Sequence, residues 1–79
     1  MQVRFHAGAA DAAGMPSADL DAGDLTAAEL IALLGRDNAR LAEVLPRCTL
    51  LVDGAPVRDP LDRIDPGAHV DVLPPFAGG

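Results

Sequence analysis

One stretch of this chain, residues 25–35 (LTAAELIALLG), carries a complete helix signature, and the segments around it are patterned for strands and turns. Thr26 and Glu29 have the spacing of a capping box, in which each side chain satisfies an amide left open at a helix start. Leu25 before the cap and Leu30 inside it can form a hydrophobic staple. Gly35 is expected to supply the left-handed residue that ends a helix. Leu30, Ile31, Leu33 and Leu34 make an apolar stripe about 100° wide, and Leu30, Leu33 and Leu34 are expected in the core. A single helix with one apolar stripe needs a sheet to cover it, which points to an α+β domain.

The flanks supply that sheet. Residues 2–6 alternate, with Val3 and Phe5 on one face and Gln2, Arg4 and His6 on the other. Residues 7–17 (AGAADAAGMPS) are small and punctuated by Gly8, Gly14 and Pro16, and read as a flexible connection, with a helix as the lesser alternative. Residues 18–22 form a weak second strand, in hairpin with the first, that buries Leu20 and exposes Asp19 and Asp21. After the helix, Asp37 is placed to cap a shorter one with Leu41, Val44 and Leu45 inward, stopped by Pro46. Residues 48–53 read as a strand, Asp53-Gly54 as a two-residue hairpin turn, and residues 55–57 as an edge strand because Pro56 has no amide to pair. Asp59-Pro60 and Asp65-Pro66-Gly67 bracket a loop, the second suiting a type II turn. Residues 68–73 form a last strand with Val70 and Val72 inward and His69 and Asp71 outward, which closes the sheet if it pairs with the first.

The chain has 79 residues, 49% apolar but only 3% aromatic, so it is expected to form one small aliphatic-core domain with little interior for a multi-residue catalytic pocket. Six arginines, no lysine and twelve acidic residues give a formal charge of -6, which argues against nucleic acid and anionic membrane as partners. Cys48 is the lone cysteine, which fits a reducing cytoplasm. The opening residues lack the cationic lead and apolar run of a signal peptide, so a cytoplasmic location is expected.

Beyond Leu73 the character changes. Pro74-Pro75 imposes an extended backbone, and Phe76-Ala77-Gly78-Gly79 follows with no side chain on its last two residues. The expected organisation is therefore a domain over residues 1–73 and an extended, flexible tail over residues 74–79. Two glycines can pass through a channel too narrow for any Cβ and present the Gly79 carboxylate to an enzyme.

Strand, hairpin, capped helix, Asp-Gly turn, Asp-Pro-Gly turn and a closing LPPFAGG together resemble the ubiquitin-like β-grasp sulfur carriers of the MoaD/ThiS family, and most of all the small subunit of molybdopterin synthase. The resemblance covers essentially the whole chain, with its specificity in Pro74-Pro75 and Gly78-Gly79. It implies a mixed sheet of about five strands with one main helix across it. It also implies that Gly79 is the reactive group. A carboxylate with a pKa near 3.5 is anionic at neutral pH and resists nucleophiles, so it must be activated. In this family a partner enzyme uses ATP and magnesium to adenylate it, and a sulfur donor then displaces AMP to leave a thiocarboxylate. The implied partners are that activating enzyme, a sulfurtransferase or other donor, and the large synthase subunit or another acceptor. Pro74, Pro75, Phe76, Ala77 and Gly78 would contact those partners. As a large aromatic in the tail, Phe76 reads either as an anchor in a partner groove or as a side chain packed back on the edge of the sheet. No cofactor is expected on the chain itself.

Other candidates carry less. Cys48 opens an apolar strand and reads as a small core residue. His69 and Asp71 share a strand face and could meet His6, but a solvated face is the stronger reading and no metal is expected. Neither Ser17 nor Cys48 is placed to pair with His6 or His69 as nucleophile and base. Asp19, Asp21 and Asp24 solubilise the surface or steer a basic partner. Two function classes remain: a sulfur carrier, for molybdopterin or for thiamine, cysteine or natural-product synthesis, and a modifier joined through Gly79 to lysines of other proteins.

Overall fold

The computed structural model describes residues 1–75. Its elements run β1 (Gln2–Phe5), α1 (Gly8–Ala13), β2 (Ser17–Asp19), β3 (Leu25–Thr26), α2 (Ala27–Gly35), α3 (Ala39–Val44), a 3-10 turn (Leu45–Arg47), β4 (Thr49–Val52), β5 (Ala55–Pro56), β6 (Arg63–Ile64) and β7 (His69–Leu73). The main sheet has five strands in the order β2-β1-β7-β4-β5, and β3 and β6 form a separate two-stranded ribbon. The first and last strands pair in parallel, Gln2 opposite His69 and Phe5 opposite Val72, while β7 pairs antiparallel with β4 on its other side. The sheet is thus mixed and its centre is β7.

Period-two alternation puts Val3, Phe5, Leu50, Val70 and Val72 on one face, where they meet Leu30, Leu41, Leu45, Ile64 and the alanines of α1 in a single core. The capping box forms in full: the Glu29 amide donates to Thr26 Oγ1 at 3.1 Å, and the Thr26 amide to Glu29 Oε1 at 2.9 Å. The remaining open amides at the start of α2 are taken by the loop between β5 and β6, Ala27 N donating to Asp62 O and Ala28 N to Pro60 O, both at 2.9 Å. That satisfies the helix start and holds the otherwise irregular 59–62 segment in place.

Several sequence expectations are corrected. Residues 7–17 are not a plain connection: α1 occupies 8–13, since alanine loses no side-chain entropy in a helix and Ala9 and Ala12 bury fully or nearly so against the core. Gly14, at φ 77°, ends it in the left-handed conformation. The second strand lies at 17–19, with Leu20 half-buried beyond it. Gly35 is not a left-handed terminator. It belongs to α2, with Arg36 following in right-handed geometry, and the bare Cα lets Ala42 of α3 approach closely. Asn38, not Asp37, caps α3: its Oδ1 accepts from Leu41 N while its Nδ2 donates to Ala12 O at 2.9 Å, so one amide closes two helix ends. Leu33 and Leu34 are half-buried rather than core, and only Leu30 of the stripe is fully enclosed. Gly67 has no positive φ, so the Asp65-Pro66-Gly67 turn is not type II. The Asp53-Gly54 hairpin forms as expected, with φ of 49° and 87° suited to its two-residue turn, and Pro56 lies in the edge strand.

Candidate functional site

The expected reactive segment leaves the domain from the end of β7, so what this strand touches decides how the segment is presented. Leu73 is the last ladder residue, opposite Thr49. Pro74 follows without an amide and ends the pairing. It is buried, while Pro75 is exposed. Phe76, Ala77, Gly78 and Gly79 lie outside the described residues.

Two interactions clamp this stem to the end of β1. The His6 amide donates to Val72 O at 3.1 Å, and His6 Nε2 lies 2.8 Å from Asp71 Oδ1. The pair is half-exposed, 36% for His6 and 34% for Asp71, so it orients more than it stabilises. His6 then enters a tight turn in which the Ala9 amide reaches His6 O at 3.0 Å. Ala7 in that turn has φ 50° and ψ -125°, backbone that suits glycine and strains an alanine. The turn borders a groove of about 310 Å³ lined by Gly8, Glu43, Val44, Arg47, Pro74 and Pro75. One cation and one carboxylate therefore stand over a largely apolar floor at the foot of the segment.

The other sequence candidates are dispersed. Cys48 is half-buried, its Sγ donating to Val44 O at 3.3 Å, and burial pushes its thiol above the ordinary value of 9.0, which disfavours a thiolate nucleophile. His69 is exposed, with its backbone amide bonded to Asp53 Oδ1 at 3.0 Å. Asp24 pairs with Arg63 at 3.2 Å on the surface, whereas Asp19 and Asp21 remain exposed. Among the described residues, no hydrogen bond joins Ser17 or Cys48 to a histidine, and no three His, Cys, Asp or Glu side chains converge as a metal set. Gly8, Glu43, Val44 and Arg47 were missed in the sequence, because their groove exists only once α1 is helical; the small residues around Ala9 and Ala12 were the available sign.

A family model described as ThiS family matches residues 3–79. No curated protein matches significantly. Among solved structures, SAMP1, the small archaeal modifier protein 1 of Haloferax volcanii, superposes with a TM-score of 0.81 at 22% identity, covering 100% of this chain and 98% of its own. A second Haloferax volcanii protein, solved in solution, gives a TM-score of 0.74 at 28% identity over 99% of this chain and 84% of its own. A putative molybdopterin converting factor subunit 1 from Pyrococcus furiosus gives 0.76 at 20% identity, covering 95% of each chain. These neighbours share the ubiquitin-like β-grasp fold, and among the described residues no helix is long and apolar enough to cross a membrane.

Proposed function

The chain belongs to the ThiS family, and from that membership we propose that it is a sulfur carrier whose Gly79 carboxylate is adenylated and then converted to a thiocarboxylate. The supporting observation is the reach of the family match, which runs through residue 79 and so includes Gly78 and Gly79. In the proposed cycle the carboxylate attacks the α-phosphorus of ATP in a partner enzyme and releases pyrophosphate. A sulfur nucleophile then displaces AMP from the acyl carbon. Magnesium and ATP belong to that partner, and this chain contributes the stem that offers the tail. The acceptor we favour is the large subunit of a molybdopterin synthase working on a cyclic pyranopterin phosphate in the cytoplasm, a reading supported by the converting-factor neighbour.

Intact mass after incubation with an activating enzyme, ATP, magnesium and a sulfide source tests the proposal. One oxygen exchanged for sulfur is expected, and deletion of Gly79 should abolish the exchange with the circular dichroism spectrum unchanged. A truncated chain that still gained sulfur would refute it. The likeness to a small archaeal modifier favours a second reading, conjugation through Gly79 to lysines of other proteins. High-mass ladders in the same assay would mark that outcome. Because this chain has no lysine, such ladders could not be lysine-linked polymers of the chain itself.

A further inference from the structure

Pro74 and Pro75 do more than end the central ladder: both line the groove of about 310 Å³ at the foot of the tail, which Gly8, Glu43, Val44 and Arg47 complete. Pro74 is buried and Pro75 exposed, so the chain passes from the interior to the rim of the groove within one residue. Phe76 comes next, and its Cα must lie about 3.8 Å from that of Pro75. The side chain therefore starts at the mouth of the groove whatever course the residues after it take.

The lining suits a phenyl ring in size and chemistry. A cavity of about 150 Å³ admits benzene, roughly half the volume available here. Both prolines and the half-buried Val44 make the floor apolar, and Gly8 puts no side chain in the way. Arg47 is exposed beside them and, among the described residues, has no ion-pair partner. A guanidinium over an aromatic face gains cation–π attraction. Phe5 and Phe76 are the only aromatic residues of the chain, and Phe5 is already enclosed in the core.

We propose that Phe76 folds back into this groove, giving the chain a retracted state in which its ring rests on Val44 and the prolines with the Arg47 guanidinium over its face. An occupant tethered to the wall of its own site needs no encounter, and short links already give effective concentrations in the millimolar range. Both prolines hold φ near about -65°, so few backbone states are lost on docking. Any enzyme that takes the tail in extended form must compete with this state, and its apparent affinity falls by the fraction of chains that are extended. The contact does not rest on the carrier reading, since Gly79 takes no part in it.

NMR on the full isotope-labelled chain tests the proposal. Nuclear Overhauser contacts are expected between the Phe76 ring protons and the Val44 methyls, which the ring current should displace upfield. Phe76→Ala should abolish that displacement and leave the Val70 and Val72 methyls unmoved. Arg47→Ala, at an exposed position, should lower the ratio of docked to extended chains roughly two- to fivefold, read as a smaller displacement. Val44 methyls that shift no differently in Phe76→Ala, or an undiminished displacement in Arg47→Ala, would overturn the proposed contact. Ring contacts to Thr49 or Leu51 would overturn it in favour of packing on the sheet. Contacts found only between labelled and unlabelled molecules in a mixed sample would overturn it in favour of the tail of a second copy.

Discussion

Replacing Gly35 by alanine sets two effects of opposite sign against each other. Within a helix, alanine is favoured over glycine by about 1 kcal/mol. At this position, however, the added methyl carbon would lie 2.9 Å from Ala42 Cβ and 3.0 Å from Ala42 Cα. Carbon atoms in contact prefer about 3.5–4.0 Å, and overpacking a fitted contact costs roughly 1–3 kcal/mol. Neither opposing atom is the end of a flexible side chain, and one is backbone, so relief requires α2 and α3 to part; we take the upper half of that range. The net expectation is a loss of about 1–2 kcal/mol, with a Tm fall of roughly 4–8 °C per kcal/mol. With no Trp or Tyr to report, urea unfolding followed by far-ultraviolet circular dichroism is the assay. Asparagine separates this cause from backbone strain. A left-handed terminator would tolerate asparagine better than alanine, whereas a crowded helix crossing should suffer more from the larger side chain. Gly35→Asn more stable than Gly35→Ala, or Gly35→Ala more stable than the parent, would refute the packing argument.

Three further outcomes follow from the same geometry. Ala7→Gly should stabilise the domain by about 1 kcal/mol, because strain of roughly 1–3 kcal/mol is relieved against a smaller entropic cost in the unfolded chain; a lower urea midpoint would contradict the strained turn. Leu30→Ala, at a fully buried position, should cost about 2–5 kcal/mol, and Leu33→Ala, at a half-buried one, only about 1 kcal/mol; equal losses in denaturation would place Leu33 in the core after all. The Thr26 amide and then its hydroxyl hold the exposed Glu29 carboxyl below its ordinary value of 4.5. A depressed carboxyl contributes stability above its unfolded value and loses it as pH falls through the folded one, so the advantage of the parent over Glu29→Gln should be present at neutral pH and vanish in acid. An advantage that persists in acid would show that the charge is not its source.

The readable parts of the sequence were those in which local chemistry dictates local geometry. Thr26 and Glu29 cap their own helix, Asp53-Gly54 makes its own turn, and Val3, Phe5, Val70 and Val72 alternate because a half-buried strand must. What escaped depends on a partner distant in sequence. Ala9 and Ala12 look like filler until α3 and the sheet enclose them, and Asn38 looks like a turn residue until its amide meets Ala12 O. Two-residue strands such as β6 have no period to detect, and they exist because Thr26 and Ile64 lie beside partners far along the chain. The site divides in the same way. Pro74 marks where the β7 pairing stops, because it has no amide to offer, whereas the groove at its foot arises from tertiary packing alone.

The placement of β7 also governs when the protein can form. Its neighbours are β1 and β4, both earlier in the chain, so the central strand is synthesised after every other strand of its sheet. A nascent chain on the ribosome holds Val3 and Phe5 without their eventual cover until Val70 and Val72 emerge. Loop closure over nearly the whole chain must precede the central pairing, which slows folding relative to a helical domain of the same size. Premature termination before Leu73 would therefore remove the middle of the sheet rather than its margin, leaving an apolar fragment for proteases and chaperones instead of a smaller folded domain.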